Sequence, residues 1–323
     1  MTSRRVFLGA VLALAAGHPA AQERSKLRRI GFLGPVSQQA NGANMDQFRK
    51  AMKELGYTEG RDLAIEYLSA DGRSEHYALL ARELSKREVE LIVTSGTPAT
   101  LAAKKAKIAV VTANVVDPVD LKLVDSLERP GGDVTGMAVL TDELEGRRLD
   151  LLRAIAPDSR RVAAIMDMGN PALAEVWKAM QPAAARLGME LVLIDARRPQ
   201  DAVQGFAAAA ARKAGGAVLR MGTLTSGDRR AIAAAAALNK LPTIYNSRQF
   251  VDAGGLASYG VNTPQMYYRA AAFVDKILKG TKPGELPMER ATRFELVLNR
   301  ATAHHLGLII PPDIFLKSDD VVG

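Results

Sequence analysis

Two short apolar segments, separated by a stretch long enough for a helix, constrain the fold of this chain more than any other feature. Residues 91–93 and 108–111 are each too short for a helix, and each leads into a polar, turn-prone loop. This spacing predicts a strand–helix–strand unit. Because the loops that follow parallel strands meet at one edge of the sheet, we expect three side chains here to contact a small polar molecule. They are Ser95, Thr97 and Asp117.

The same alternation runs through the rest of the chain. Further strands are predicted at residues 29–33, 62–68, 134–139, 161–166, 190–194, 217–221, 242–245, 256–260 and 294–298. Helices are predicted at 45–55, 75–87, 142–154, 172–187, 200–212, 228–238 and 265–279. Regular alternation in both halves predicts an α/β protein with two doubly wound, Rossmann-like parallel-sheet lobes and a cleft between them.

The first residues have the layout of an export signal, which we expect to be removed near residue 22. Arg4 and Arg5 precede an apolar run at 6–16, and small residues follow at 20–21. The apolar run is shorter than the roughly 20 residues that span a bilayer. The segment at 3–8 also resembles the twin-arginine export motif, and an ordinary secretory signal is the alternative. We therefore expect a protein that works in the periplasm and is not embedded in the membrane.

Composition excludes several classes of protein. The chain has no cysteine, so its stability must come from its core and not from disulfides. Its 323 residues suit two domains of ordinary size. The formal charge of +8 falls by two, to +6, when Arg4 and Arg5 leave with the leader. Clustered basic residues interleaved with aromatic ones are missing, so we expect no nucleic-acid partner.

Groups suited to catalysis are scarce. His76, His304 and His305 are the histidines beyond the leader, and the chain contains neither a G-x-S-x-G elbow nor a phosphate-binding glycine motif. Adjacent histidines on a helix point about 100° apart, and no carboxylate cluster accompanies them, so a metal site is not expected. We expect no enzyme activity, no cofactor and no metal.

Several polar residues have a structural interpretation beside the functional one. Asp117 could cap a helix that begins at Val119 instead of meeting a ligand, and Thr97 could cap the helix that contains Pro98. The acidic residues at 142–145 suit the positive end of a helix. The pair Asp319 and Asp320 is expected to be solvated.

A series of motifs occurs in order along the chain. They are GYTEG at 56–60, IEY at 65–67, GTPA at 96–99, DPV at 117–119, RPGGDVTG at 129–136, DAGGLASYG at 252–260, VDKILKG at 274–280, FELVLN at 294–299 and LGLIIPP at 306–312. Together they resemble the bacterial ABC-transporter substrate-binding proteins of the tryptophan-binding-protein-like family. The resemblance covers nearly the whole mature chain.

The resemblance implies a type I periplasmic binding fold, in which two lobes joined by three crossings close on one small ligand. The first lobe then takes residues 27–140 and 263–289, and the second takes 141–262 and 290–323. Ligand contacts in such proteins come from loops at strand ends. By this analogy they are Gly34, Pro35, Ser95, Gly96, Thr97, Asp117, Pro118, Asn170, Met221, Gly222, Tyr245, Asn246 and Tyr259.

Some relatives bind aromatic or other hydrophobic amino acids, whose carboxylate would meet backbone N–H groups at 95–97 and whose ammonium would meet Asp117. The chain departs from the family pattern at Arg220, which could face an anionic group of the ligand or lie at the surface. Arg248 could clamp a carboxylate with two hydrogen bonds.

We therefore expect a monomeric periplasmic solute-binding protein that passes a small-molecule ligand, an amino acid or a related carboxylate, to an ABC permease with its ATPase. The alternative is a sensory binding protein that presents its ligand to a membrane receptor.

Overall fold

The computed structural model describes residues 27–222 and 224–323, without the side chains of Asp142, Glu143 and Ser226. The predicted export leader lies outside these residues. None of the helices in the described range is both long enough and apolar enough to cross a membrane.

The strands are β1 (Arg28–Gly34), β2 (Leu63–Ser69), β3 (Leu91–Thr94), β4 (Ala109–Val116), β5 (Val134–Val139), β6 (Arg161–Met166), β7 (Glu190–Asp195), β8 (Gly216–Arg220), β9 (Thr243–Tyr245), β10 (Ala257–Val261), β11 (Glu289–Arg290), β12 (Phe294–Asn299) and β13 (Asp320–Val322). The α-helices are α1 (Gly42–Glu54), α2 (Tyr77–Lys86), α3 (Thr97–Lys104), α4 (Asp142–Ile155), α5 (Ala172–Arg186), α6 (Pro199–Ala211), α7 (Ser226–Leu238), α8 (Arg248–Asp252), α9 (Thr263–Leu278), α10 (Arg300–His305) and α11 (Pro312–Leu316).

The first sheet has the strand order β11-β5-β4-β3-β1-β2, and its strands pair in parallel. One face packs against α1 and α9, where Phe48 and Met52 of α1 share a core with Tyr267 and Val274 of α9. These residues recur every three or four positions, so each helix places one apolar stripe on the sheet. The other face is covered by α2 and α3.

The second sheet has the order β13-β12-β10-β9-β8-β6-β7, and only β12 runs antiparallel to its neighbour β10 among the described pairs. Its two faces are covered by separate cores. One includes Leu152 of α4 and Met180 of α5, and the other includes Phe206 of α6 and Ile232 of α7. The two sheets confirm the predicted architecture of two α/β lobes.

The chain passes between the two sheets at three places. It leaves the first sheet after β5, returns after β10 to form α9, and leaves again after β11. Helix α9 packs against α1 and β4, so it belongs to the first lobe although it follows the strands of the second. Three crossings of this kind join two lobes that carry separate cores.

The predicted helix at Val119 is wrong. Residues after Asp117 form a single turn, in which Leu121 N donates to Asp117 O at 3.2 Å and Lys122 N donates to Val119 O at 2.9 Å. Lys122 has a φ of 52°, in the left-handed region, which ends the turn before a helix can continue.

The tail acids remain in contact with solvent, as predicted, with the Asp319 side chain 35% exposed and the Asp320 side chain 42% exposed, but both also bind to the lobe. Asp319 Oδ2 accepts a hydrogen bond from Leu296 N at 2.9 Å, and Asp320 pairs with Arg248 at 2.6 Å. Strand β13 adds to the edge of the second sheet beside β12, so both acids are part of the lobe.

Candidate functional site

The cleft between the lobes has two adjoining chambers at the carboxyl ends of the central strands. The inner chamber is the one next to the crossings between the lobes, where Val139 and Val261 line it. The outer chamber lies beside it and is lined by Asp167, Arg229 and Tyr267 among others. The space in the outer chamber is about 980 Å³ and in the inner chamber about 660 Å³, both with open solvent included. The residues that line both chambers are Gly96, Asn114, Asn170, Met221, Gly222 and Asn246.

The structure brings nine of the predicted site residues together at this cleft. They are Pro35, Ser95, Gly96, Thr97, Asn170, Arg220, Met221, Gly222 and Asn246. Ser95 follows β3, Met221 follows β8, and Asn170 lies in the loop after β6. Each position is therefore beyond the carboxyl end of a parallel strand, which is the expected location for a ligand contact.

The N-terminus of α3 faces both chambers. Gly96 precedes the helix with a φ of 91°, a conformation that side chains rarely adopt, and Pro98 occupies its first turn. Thr97 is not the N-cap: it is the first residue of the helix, and its Oγ1 accepts a hydrogen bond from Val116 N at 3.4 Å. No described residue accepts a hydrogen bond from the backbone N–H groups of Thr97 or Ala99. These donors are available to an anionic group.

Asp117 lies outside the lining of either chamber. It is 8% exposed and has a φ of 41°. Its Oδ1 accepts a hydrogen bond from Thr141 N at 3.2 Å, and its Oδ2 accepts one from the Thr141 hydroxyl. Both contacts are to Thr141, which lies between β5 and α4, so the carboxylate binds the chain at the first crossing between the lobes. Pro118, the next residue, also lies outside the lining.

Gly34 has a packing role beside the cleft. A Cβ atom at this position would come within 2.0 Å of the Tyr67 hydroxyl. Tyr67 donates to Val36 O at 2.7 Å and accepts from Asn41 Nδ2 at 3.3 Å. Gly34 therefore leaves room for a hydrogen-bonded tyrosine that supports the cleft wall, and it does not line the cleft.

The other predicted contacts in the second lobe also lie away from the cleft lining. Tyr245 is fully buried and stacks on Phe250 with 4.8 Å between ring centroids. Arg248 pairs with Asp320 at 2.6 Å and with Asp252 at 3.4 Å, because α8 directs its side chain toward the sheet edge. Tyr259 lines a different groove, beside Phe294 and α11.

The lining also contains residues that the strand-end argument missed. From the first lobe come Asn41 and Asn44 at the start of α1, Tyr77 of α2 and Tyr267 of α9. From the second lobe come Asp167, Arg229 and Gln249. Asp167 directly follows β6, so its position at a strand end was the available signal. The helix residues face the cleft because of how the helices pack against the sheet. The local sequence pattern does not indicate which helix residues will do so.

Asp167 and Arg229 are the charged residues in the described lining of the outer chamber. Burial raises the pKa of Asp167, and the negative charge of Asp195 also raises it. The hydrogen bond that Asp167 Oδ1 accepts from Gly169 N at 3.0 Å lowers this pKa. Burial lowers the pKa of Arg229, and the charge of Asp228 acts in the opposite direction. The chamber therefore offers one acid and one base to opposite charges on a ligand.

A buried charged cluster lies behind the inner chamber. Arg148 donates through one terminal nitrogen to Glu145 Oε1 and through Nε to Tyr259 O at 2.8 Å. Arg220 Nε lies 3.4 Å from the same Glu145 oxygen. These residues join α4, β8 and β10, so the cluster connects the elements next to two crossings.

Among the described residues, no group of three histidine, cysteine, aspartate or glutamate side chains could hold a metal ion. The arrangement at the cleft consists of hydrogen-bond donors, acceptors and two opposite charges. Such an arrangement can bind a small zwitterion.

Comparisons with known proteins agree with this geometry. A family model described as ABC transporter substrate binding protein matches residues 29–322. The chain is 24% identical over 310 residues to a tyrosine-binding protein of Clostridioides difficile (strain R20291), a match that covers 92% of this chain and 87% of that relative.

Two solved structures have the same fold. A conserved domain protein from Vibrio cholerae is 26% identical with a TM-score of 0.85, and the match covers 92% of this chain and 100% of that one. An ABC domain in complex with L-Trp from Streptococcus pneumonia is 20% identical with a TM-score of 0.84, covering 91% of this chain and 99% of that one.

Proposed function

The chain belongs to the family of ABC transporter substrate-binding proteins, and we propose that it captures an amino acid or a related small carboxylate and delivers it to an ABC permease with its ATPase. The observation that carries this proposal is the cleft itself. It places the free N–H group of Thr97, at the α3 N-terminus, in the inner chamber and the carboxylate of Asp167 in the adjoining outer chamber. These are the groups that a zwitterionic amino acid requires.

The names of two similar proteins support an amino acid as the ligand. The Clostridioides difficile relative is a tyrosine-binding protein, and the Streptococcus domain is in complex with L-Trp. The aromatic side chains of Tyr77, Phe250 and Tyr267 line the outer chamber and could contact an aromatic ring of the ligand. L-Tyrosine and L-tryptophan are therefore the first ligands to test.

The proposed mechanism is closure of the lobes on the ligand. The walls of the cleft come from different lobes, with Ser95 on the first and Asp167 on the second. A ligand that contacts both walls stabilises the closed arrangement and shifts the equilibrium toward it. The protein then works by binding and presents the closed form to the permease, as a monomer in the periplasm.

A thermal-shift screen of the mature protein against the common amino acids tests this proposal. A ligand that binds only the folded state must raise the melting temperature, and the rise must grow with ligand concentration. We expect L-tyrosine or L-tryptophan to give the largest rise. A protein whose melting temperature is unchanged by every amino acid at millimolar concentration would contradict the amino-acid proposal.

A further inference from the structure

Arg220 is a nearly buried arginine whose charge is directed into the inner chamber. It is the last residue of β8, is 8% exposed and lines this chamber. Its Nε is buried 3.4 Å from Glu145 Oε1 without forming a hydrogen bond, and no hydrogen bond joins its two terminal nitrogens to any described residue. Those nitrogens form the side of the guanidinium fork that binds carboxylates with two hydrogen bonds.

The charge of Arg220 is only partly balanced by the protein. Glu145 Oε1 also accepts a hydrogen bond from Arg148, so one carboxylate serves two guanidinium groups. Asp117 is the other nearby acid, and its oxygens accept hydrogen bonds from Thr141. Burial lowers the pKa of Arg220 to about 10, the charge of Glu145 raises it, and the charge of Arg148 lowers it. Binding a further anion would therefore stabilise the buried positive charge of Arg220.

Two charged side chains of the described residues line the inner chamber, Arg148 and Arg220, and Arg220 is the one that can bind a ligand. The apolar residues that line the inner chamber include Val139, Leu144 and Leu173. Arg148 also lines it, but its guanidinium is held by Glu145 and by Tyr259 O. Thr97, with its free backbone N–H, lines the same chamber from the first lobe.

We propose that Arg220 binds the anionic group of the ligand in the inner chamber, together with the N-terminus of α3, and so restricts the cleft to small molecules with a free carboxylate. This inference rests on the proposed function and deepens it. The carboxylate lies inward, and the remainder of the ligand extends toward the aromatic residues of the outer chamber. A carboxamide in this place offers the guanidinium one acceptor oxygen and turns an NH2 group toward its other N–H groups, so we expect amides to bind more weakly than acids.

The test compares acids with their amides on wild-type protein and on Arg220→Met. The probes are L-tyrosine with L-tyrosinamide, and L-tryptophan with L-tryptophanamide, titrated by calorimetry. We expect Arg220→Met to weaken acid binding about 10- to 100-fold, as removal of a hydrogen bond between charged groups does. Amide binding should change by less than about twofold, so the preference for the acid should largely disappear.

Arg248→Met is the matched control, since it removes an arginine of the same lobe that pairs with Asp320 outside the cleft. It should keep the preference of the wild type. If Arg220→Met does not fold, Arg220→Lys keeps a positive charge but loses the fork, and it should bind the acids more weakly while still preferring them.

Wild-type acid affinity in folded Arg220→Met, or an equal loss for acid and amide, would overturn the role of Arg220 and leave the proposed function intact. For Arg220→Lys, equal binding of acid and amide would overturn it as well. A wild-type protein that binds none of the four probes would overturn the amino-acid proposal and this inference with it.

Discussion

Asp167 is the acid best placed to meet a ligand's ammonium group. It follows β6 directly, lines the outer chamber and lies on the lobe opposite Ser95. Asp117 also follows a strand directly, but it has a positive φ and its carboxylate accepts hydrogen bonds from Thr141. Two aspartates at equivalent sequence positions therefore have different surroundings, since Asp167 lines the cleft and Asp117 does not.

Asp167→Asn should weaken binding of L-tyrosine about 10- to 100-fold, because the ammonium loses a charged partner. Binding of 3-(4-hydroxyphenyl)propionate, which lacks the ammonium, should be unaffected or slightly stronger. Calorimetry with both probes measures the difference. Asp313→Asn is the control, since Asp313 forms an exposed pair with Lys317 at 3.2 Å. Equal losses for the two probes would contradict a direct contact.

Ligand binding by the wild-type protein should also depend on pH through Asp167. Burial holds the pKa of Asp167 above the ordinary value of a carboxyl group. Only the ionised form attracts an ammonium, so affinity for L-tyrosine should fall as the pH is lowered through this raised pKa. The decline should begin at a higher pH than for an ordinary carboxylate, and it should be absent in Asp167→Asn.

At the scale of the element, α3 connects the fold to the site. Its first turn lies between the two chambers, and its position depends on Gly96, whose N–H donates to Asn114 O at 2.6 Å. The Thr100 hydroxyl adds a bond to Gly96 O at 2.9 Å. This turn orients the backbone N–H groups of Thr97 and Ala99 without the use of a charged side chain.

Gly96→Ala should destabilise the protein by about 1–3 kcal/mol, because a side chain is strained at a φ of 91°. It should also weaken L-tyrosine binding, since relief of the strain turns the N–H groups away. Urea unfolding and calorimetry measure the two effects. Gly42→Ala, at the start of α1 with nothing within 4 Å of the added atom, should leave binding unchanged and stability unchanged or slightly higher. A Gly96→Ala protein as stable as the wild type would show that the turn tolerates a side chain.

At the scale of the whole molecule, the two lobes have separate cores and are joined by three crossings. The buried cluster of Glu145, Arg148 and Arg220 lies beside two of these crossings and behind the inner chamber. A ligand that reaches Arg220 therefore contacts the region beside the crossings, about which we propose that the lobes close.

If the lobes close on the ligand, the protein should be more compact when ligand is bound. Saturation with L-tyrosine should reduce the radius of gyration measured by small-angle X-ray scattering. Asp167→Asn at the same concentration should show a smaller reduction, because less protein is bound. Scattering curves that superimpose while calorimetry shows full occupancy would contradict lobe closure.

The sequence by itself determined the strand and helix alternation, and through it the two α/β lobes. This information is local, because the period of apolar residues and the turn residues that bound each strand are written within a few positions. The strands at 134–139 and 161–166 were predicted at their observed bounds. The family motifs lie partly in the turns between these elements and partly in the elements themselves, such as FELVLN, which forms β12.

Only the tertiary structure decided which of the strand-end side chains reach the cleft. Arg248 is directed away by its pairs with Asp252 and Asp320, whereas Arg220 is held in the inner chamber beside Glu145. Tyr77 and Tyr267 reach the cleft from helices that no strand-end argument considers. These outcomes depend on contacts between residues far apart in the chain and on single backbone angles, and a local pattern contains neither.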